Sequence, residues 1–226
     1  MDKKQLVNEI VRLEWAAFQE VQNEGGRASC QDNNETFDIM RKSQYLTWTE
    51  EMLAQYKSDF EANLAKGWNM VTEKYARMME SNAKAEFEAI KDQLPKISPS
   101  SKELIERIVA IQVKWMEEFA AQYPNLANQG RAIHTSEDTE YNTSYETYLR
   151  GEISTYSAKM LLLYAAFVLD LQKRNANLSK LIMKFTTAFY GYASLDAAEM
   201  KLKYTNAARE MTEKILSNMP MMKKIG

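Results

Sequence analysis

Two short segments of the chain share a glycine–arginine–alanine order that could hold an anion: Gly26-Arg27-Ala28 and Gly130-Arg131-Ala132. Glycine permits a positive φ and lets backbone approach a ligand closely. The arginine after it offers a planar, permanently charged fork suited to carboxylate or phosphate. Each loop leads toward an expected helix N-terminus, whose free N–H groups favour negative charge. The structural alternative is that Arg27 and Arg131 pair with carboxylates of the opposite half and lock the halves together. Four places after each glycine stand Cys30 and His134, the one cysteine and the one histidine of the chain. A histidine beside a thiol lowers its pKa and makes it a nucleophile. If the two loops meet, the pair could act so. The alternative is a small buried cysteine and an unrelated polar loop residue.

Other polar residues are less specific. Glu35 with Asp38, and Glu137, Asp138 and Glu140, could hold Mg²⁺ together with water and a phosphate. Their spacing matches no defined ligand motif, and such clusters are commonly caps and solvated faces, so no metal and no cofactor is expected. Asp32 in particular suits a helix cap. One histidine is too few for a di-iron carboxylate bundle, which uses two Glu-x-x-His motifs. Glu14, Arg41 and Gln44 interrupt otherwise apolar helices and need partners, which makes them candidates for the same cleft. Trp15 and Trp48 nearby read as core. No phosphate-binding glycine loop, serine-hydrolase elbow or zinc-protease motif is present.

The elements that must position these residues are helices. Leu6, Ile10, Leu13, Ala17 and Val21 predict a first helix from about Lys3 to Asn23, ended by Gly25-Gly26. Asp32 and Glu35 have capping-box spacing for a second. A long stretch through Leu53, Tyr56, Phe60 and Leu64 is divided by Gly67 before Val71, Tyr75 and Met78 resume the pattern. Pro95 and Pro99 mark the clearest break. Ser100 with Glu103 then opens a helix through Ile108, Trp115 and Phe119, and a long polar loop runs from Pro124 to about Thr143. Thr143 with Glu146 caps the next helix. The last two are expected over about Leu178–Tyr192 and Leu195–Asn218, with a frayed tail after Pro220.

The loops are embedded in a wider likeness. Leu6, Ile10 and Leu13 line up with Leu104, Ile108 and Ile111. Thr36-Phe37-Asp38 lines up with Ser144-Tyr145-Glu146, and Thr47-Trp48 with Thr155-Tyr156. Met52-Leu53 then falls opposite Met160-Leu161. The expectation is one all-α domain, 1–226. It is a helical bundle of two repeated helix–loop–helix halves, about 3–94 and 100–218, related by an internal pseudo-twofold.

Composition agrees. Seven Gly and four Pro in 226 residues, with 45% apolar residues, favour helices over short turn-linked strands. A net charge of −2 with no strong block of one sign offers no footprint for nucleic acid. The longest apolar run, Met160–Leu169, is too short to span a bilayer, which takes roughly 20 residues. The N-terminus lacks a signal-peptide pattern and a lone cysteine permits no internal disulfide, so the expected setting is cytoplasmic, with no membrane partner. The many methionines read as flexible core filler.

The runs Glu14-Trp15-Ala16-Ala17-Phe18, Gly25-Gly26-Arg27-Ala28-Ser29-Cys30-Gln31-Asp32 and Thr36 to Tyr45 resemble a bacterial family known as domain of unknown function four-one-two-five. The resemblance is strongest over Glu14–Trp48. It makes Glu14, Trp15, Gly26, Arg27, Cys30, Gln31, Asp32, Arg41 and Gln44 the family-motif positions and assigns none a role. It also implies an occasional link to nucleotidyltransferase-like domains.

The leading expectation is a protein that binds, and acts on, a small anionic metabolite in a cleft between the two loops. Arg27, Arg131, Gly26, Gly130, Gln31, Arg41 and Gln44 would bind it. Cys30, His134, Glu14 and Asp32 would supply metal-independent thiol or acid–base chemistry. The alternative is a helical module that docks on a partner such as a nucleotidyltransferase-like protein. A pyrophosphatase of the MazG-like helical type, using Glu35-x-x-Asp38 and Glu137-x-x-Glu140, ranks third.

Overall fold

A computed structural model describes residues 2–22 and 26–218, apart from the side chains of 215–218. Asn23 and Gly25, expected at the end of the first helix, and the tail after Pro220 lie outside the described residues. Within them the chain is helical throughout, with no strand. The first set of helices is α1 (Lys3–Gln19), α2 (Asn34–Tyr45), α3 (Glu50–Ala65), α4 (Met70–Asn82) and the short α5 (Lys84–Ile90). The second is α6 (Pro99–Gln122), α7 (Pro124–Ala127), α8 (Tyr145–Ile153), α9 (Ala158–Lys173), α10 (Leu178–Phe189) and α11 (Leu195–Asn218). No described helix is long and apolar enough to cross a membrane.

Local chemistry sets the boundaries, in several places not where capping-box spacing alone puts them. α1 stops at Gln19 because the Gln31 amide donates to the Phe18 and Val21 carbonyls (2.9 and 3.1 Å). Asn33, not Asp32, caps α2 by accepting from Thr36 N–H (3.0 Å), since Asp32 is taken by Arg27. Ser98 rather than Ser100 caps α6, because Pro99 at the first position needs no N–H partner. Ser144 rather than Thr143 caps α8, where the Thr143 hydroxyl accepts from Asn82 (3.0 Å).

Local features of the first set recur in the second. α3 and α9 each run 16 residues and start from a hydroxyl cap, Thr49 accepting from Met52 N–H (3.2 Å) and Ser157 from Met160 N–H (3.1 Å). Gly67 (φ +74°) follows α3 and Asn175 (φ +51°) follows α9, both left-handed, where glycine is free and asparagine tolerated. Asn69 caps α4 and donates to the Ala17 carbonyl (2.8 Å). Asn177 caps α10 and donates to the Trp115 carbonyl (2.8 Å).

Packing follows the same order. α1 lies against α2, α3 and α4, while α6 lies against α8, α9 and α10. The last helix of each trio then crosses over, α4 onto α8 and α10 onto α2. Small buried residues sit on the two receiving helices, Ser43 on α2 and Gly151 on α8. At Gly151 an added Cβ would meet Met78 Cγ at 2.8 Å and the Lys74 carbonyl at 3.0 Å. The centre holds Tyr45, Trp48, Tyr56, Tyr156 and Tyr164 in mostly edge-to-face contact. A smaller cluster of Phe119, Tyr123, Leu126, Leu195 and Ala198 fixes α11 to α6 and α7.

Candidate functional site

The first loop is tied to itself. Arg27 pairs with Asp32 (2.7 Å), donates to the Gln31 carbonyl (2.8 Å) and also reaches Gln19. The Gln31 side chain is buried; its oxygen accepts from Ala28 N–H (2.9 Å) while its nitrogen holds the end of α1. Gly26 adopts φ +85° to enter this turn. The expected cross-half pairing of Arg27 is therefore replaced by a carboxylate five residues away. Cys30 stands exposed on the outside.

The second loop is braced by its backbone and by one acid. Tyr145 and Glu146 N–H donate to the Ala132 and Ile133 carbonyls (2.8 and 3.0 Å). Asp138 accepts from Ser81, Thr147 and Ser144, and these bonds pull its pKa down although burial pushes it up. Arg131 donates to the Thr143 carbonyl (2.9 Å) and lies over the Tyr148 ring, 4.9 Å from its centroid. Among the described residues it has no carboxylate at ion-pair distance. It borders an open hollow of about 370 Å³, with Gly130, Glu137, Thr139 and Asn142 on the other sides. His134 turns away to Glu117 on α6 (3.3 Å) and makes no hydrogen bond to Cys30.

Behind Arg131 the polar groups continue inward. Lys74 Nζ lies over the same Tyr148 ring at 4.4 Å, donates to the Tyr148 hydroxyl (2.8 Å) and sits 5.1 Å from the Tyr75 ring centroid. Burial would discharge this lysine, but Tyr148, Tyr75 and Glu152 outweigh it and hold the ammonium charged. Burial pushes the Tyr75 hydroxyl up to about 12, with Lys74 opposing and Tyr148 and Cys30 reinforcing the rise; Arg131 also acts on it, downward.

Lys74 leads to a charged centre that is sealed from solvent. Arg41 is bidentate to Glu14 (Nε–Oε2 2.8 Å, Nη2–Oε1 2.7 Å) and reaches Glu152 with Nη1 (2.9 Å). Gln44 and Tyr45 take the remaining guanidinium donors. Glu14 also accepts from the Tyr45 and Tyr56 hydroxyls (2.6 and 2.7 Å). Glu152 accepts from Gln44 (2.8 Å) and Tyr156 (3.4 Å), and faces Lys74 at 3.6 Å. Burial raises the Glu152 pKa, yet Arg41 and then Lys74 bring it down to about 2. Two carboxylates meet two cations, so the centre is neutral and hydrogen-bonded, the condition under which buried charge is tolerated. Arg41 and Gln44, expected to contact a ligand, are occupied here, and the Glu14 carboxylate is filled by four hydrogen bonds from three residues.

Sequence reasoning brought together Glu14, Arg41 and Gln44 and missed Lys74, Glu152 and the tyrosines. Both ionic residues left a trace. Lys74 stands inside the Val71–Tyr75–Met78 stripe, and Glu152 falls opposite Gln44 in the register that pairs Thr47 with Thr155. Among the described residues no group of three His, Cys, Asp or Glu is placed to hold a metal.

No curated protein and no solved structure matches the chain significantly. A family model described as "Protein of unknown function (DUF4125)" matches residues 4–200. The sequence likeness around Glu14–Trp48 thus extends across all but the last helix's free end, and the chain belongs to this family.

Proposed function

We propose that the chain binds a small anionic metabolite at the cleft bordered by its two Gly-Arg-Ala loops, with Arg131 as the cationic wall and Lys74 buried behind it. The observation that carries this is the Tyr148 ring, which holds both cations within 5 Å of its centroid while Arg131 has no acid of its own among the described residues. An aromatic ring gathers a cation without neutralising it, which leaves the Arg131 charge for a ligand, while the Lys74 charge is already balanced by Glu152. Arg27 shapes the first loop in this reading and does not touch the ligand. Acid–base chemistry falls to the Tyr148 hydroxyl, polarised by the Lys74 ammonium, and Cys30 is the thiol at the opposite rim.

The same reading takes the chain as an internal duplication about a pseudo-twofold axis. The recurring caps, the equal lengths of α3 and α9, and the reciprocal crossing of α4 and α10 support it.

Thermal unfolding against inorganic phosphate, nucleotides and small carboxylates tests the binding. A ligand at a hundred times its Kd stabilises the fold by about 2.7 kcal/mol. The expected result is a shift that Arg131→Ala abolishes and Arg27→Ala retains. No shift across the panel, or one that Arg131→Ala leaves intact, ends this reading. The docking module would then lead, favoured by Phe185, Phe189 and Tyr190, exposed at the end of α10. Its partner would be sought among nucleotidyltransferase-like proteins.

A further inference from the structure

α11 carries two stripes. Leu195, Ala198 and Leu202 pack toward Phe119, Tyr123 and Leu126. On the opposite side Met200, Tyr204, Ala207 and Met211 face solvent, with Met200, Tyr204 and Met211 exposed to 56, 69 and 66%. Steps of four, three and four are the a/d alternation of paired helices. Beyond Leu202 the helix leaves the body, and of residues 203–214 only Asn206 is partly covered, where it donates to Asn125 (3.1 Å). A helical end without a packing face is marginal in water, where isolated helices shorter than about 12–15 residues barely hold.

We propose that this stripe pairs with α11 of a second copy of the chain, in antiparallel orientation. Antiparallel pairing sets a positions against d positions, which gives the layers Met200–Met211 and Tyr204–Ala207, each occurring twice. Every large side chain then meets one it can fit, and tyrosine is matched by alanine. The charges agree. Lys203 and Glu210 flank the stripe on the same edge, one heptad apart, and antiparallel pairing places Lys203 of one copy beside Glu210 of the other, twice per dimer. Parallel pairing would oppose tyrosine to tyrosine, leave alanine facing alanine, and set Lys203 beside Ala208, with no charge partner. The intrachain acid one turn before Lys203, Glu199, already accepts from the Asn125 and Leu126 N–H groups and from the Asn125 amide. One helix pair buries little surface, so the dimer is a weak, concentration-dependent one.

Sedimentation of the full chain over a range of concentrations tests this, with Lys203→Glu, Glu210→Lys and an equimolar mixture of the two. All the changed side chains are exposed, so the fold is retained, which circular dichroism checks. The native chain should associate reversibly. Each single variant should self-associate at least about tenfold more weakly, through like charges placed in contact. The mixture should recover association, because one chain is then acidic and the other basic along that edge. A native chain that stays monomeric at every concentration overturns the proposal. So does a dimer indifferent to both reversals, which would join by another face or run parallel.

Discussion

Glu14 on α1 and Gln112 on α6 are both buried and each accepts from a tyrosine hydroxyl, the first from α3 and the second from α9. Glu14 accepts from Tyr56 at 2.7 Å and Gln112 from Tyr164 at 3.2 Å. Around Glu14 gather Arg41, Tyr45 and Tyr56. The sequence register that pairs Thr47 with Thr155 sets Leu149 and Ile153 opposite Arg41 and Tyr45. Glu14 sits in a charged centre, whereas the Gln112 amide nitrogen has no hydrogen-bond partner among the described residues. The charges around Glu14 and Glu152 concentrate beneath the Tyr148 ring that carries Lys74 and Arg131.

The largest test of this contrast is Arg41→Met. Removing the guanidinium leaves two buried carboxylates with one lysine, and should cost about 3–5 kcal/mol in urea unfolding at neutral pH. Leu149→Met on the other side should cost under about 1.5 kcal/mol. Equal losses would mean that the charged centre is energetically ordinary.

Acid sharpens the comparison. The Glu152 pKa is depressed from 4.5 to about 2, so its contribution is complete above pH 4.5 and drains away as pH falls through 2. That amounts to about 3 kcal/mol by linkage. Glu152→Gln should flatten this part of the stability–pH curve, and an unchanged curve would assign the acid sensitivity to other carboxylates.

Gly151→Ala should cost about 1–3 kcal/mol by overpacking where α4 crosses α8. Ser43→Ala, at the other crossing, loses only its bond to the Ile39 carbonyl (2.7 Å) and should cost about 1 kcal/mol. Thermal denaturation of the pair would show whether both crossings are equally tight. Gln112→Met should fall within about 1 kcal/mol of the native chain, because it removes an unpaired buried donor along with the Tyr164 bond. The smallest effect is expected of Arg27→Ala, whose exposed pair with Asp32 should contribute under about 1 kcal/mol by the same measurement.

Much of the architecture was legible because helices announce themselves through periodicity. The apolar stripes of α1, α6 and α9, the divider at Gly67 and the break between Pro95 and Pro99 all follow from one-dimensional spacing. Caps were read less well, since serine, threonine and asparagine neighbours compete and a distant side chain decides. Asp32 is the example: its capping chemistry was visible, and its capture by Arg27 was not. For the candidate site, Glu14 and Arg41 were legible as charges on apolar faces that demand partners. That the partners include Lys74 and Glu152, 60 or more positions from Glu14, depends on helices crossing between halves, which no local pattern encodes. The Cys30–His134 coincidence rests on register alone, whereas the contact of His134 with Glu117, 3.3 Å away on α6, left no mark in that register.

The crossing of α4 onto α8 and of α10 onto α2 makes the halves clasped hands rather than stacked blocks. A chain nicked between residues 94 and 98 would remain one particle. Neither piece could close its own interior without the finger lent by the other, so the two must ripen together as the polypeptide folds.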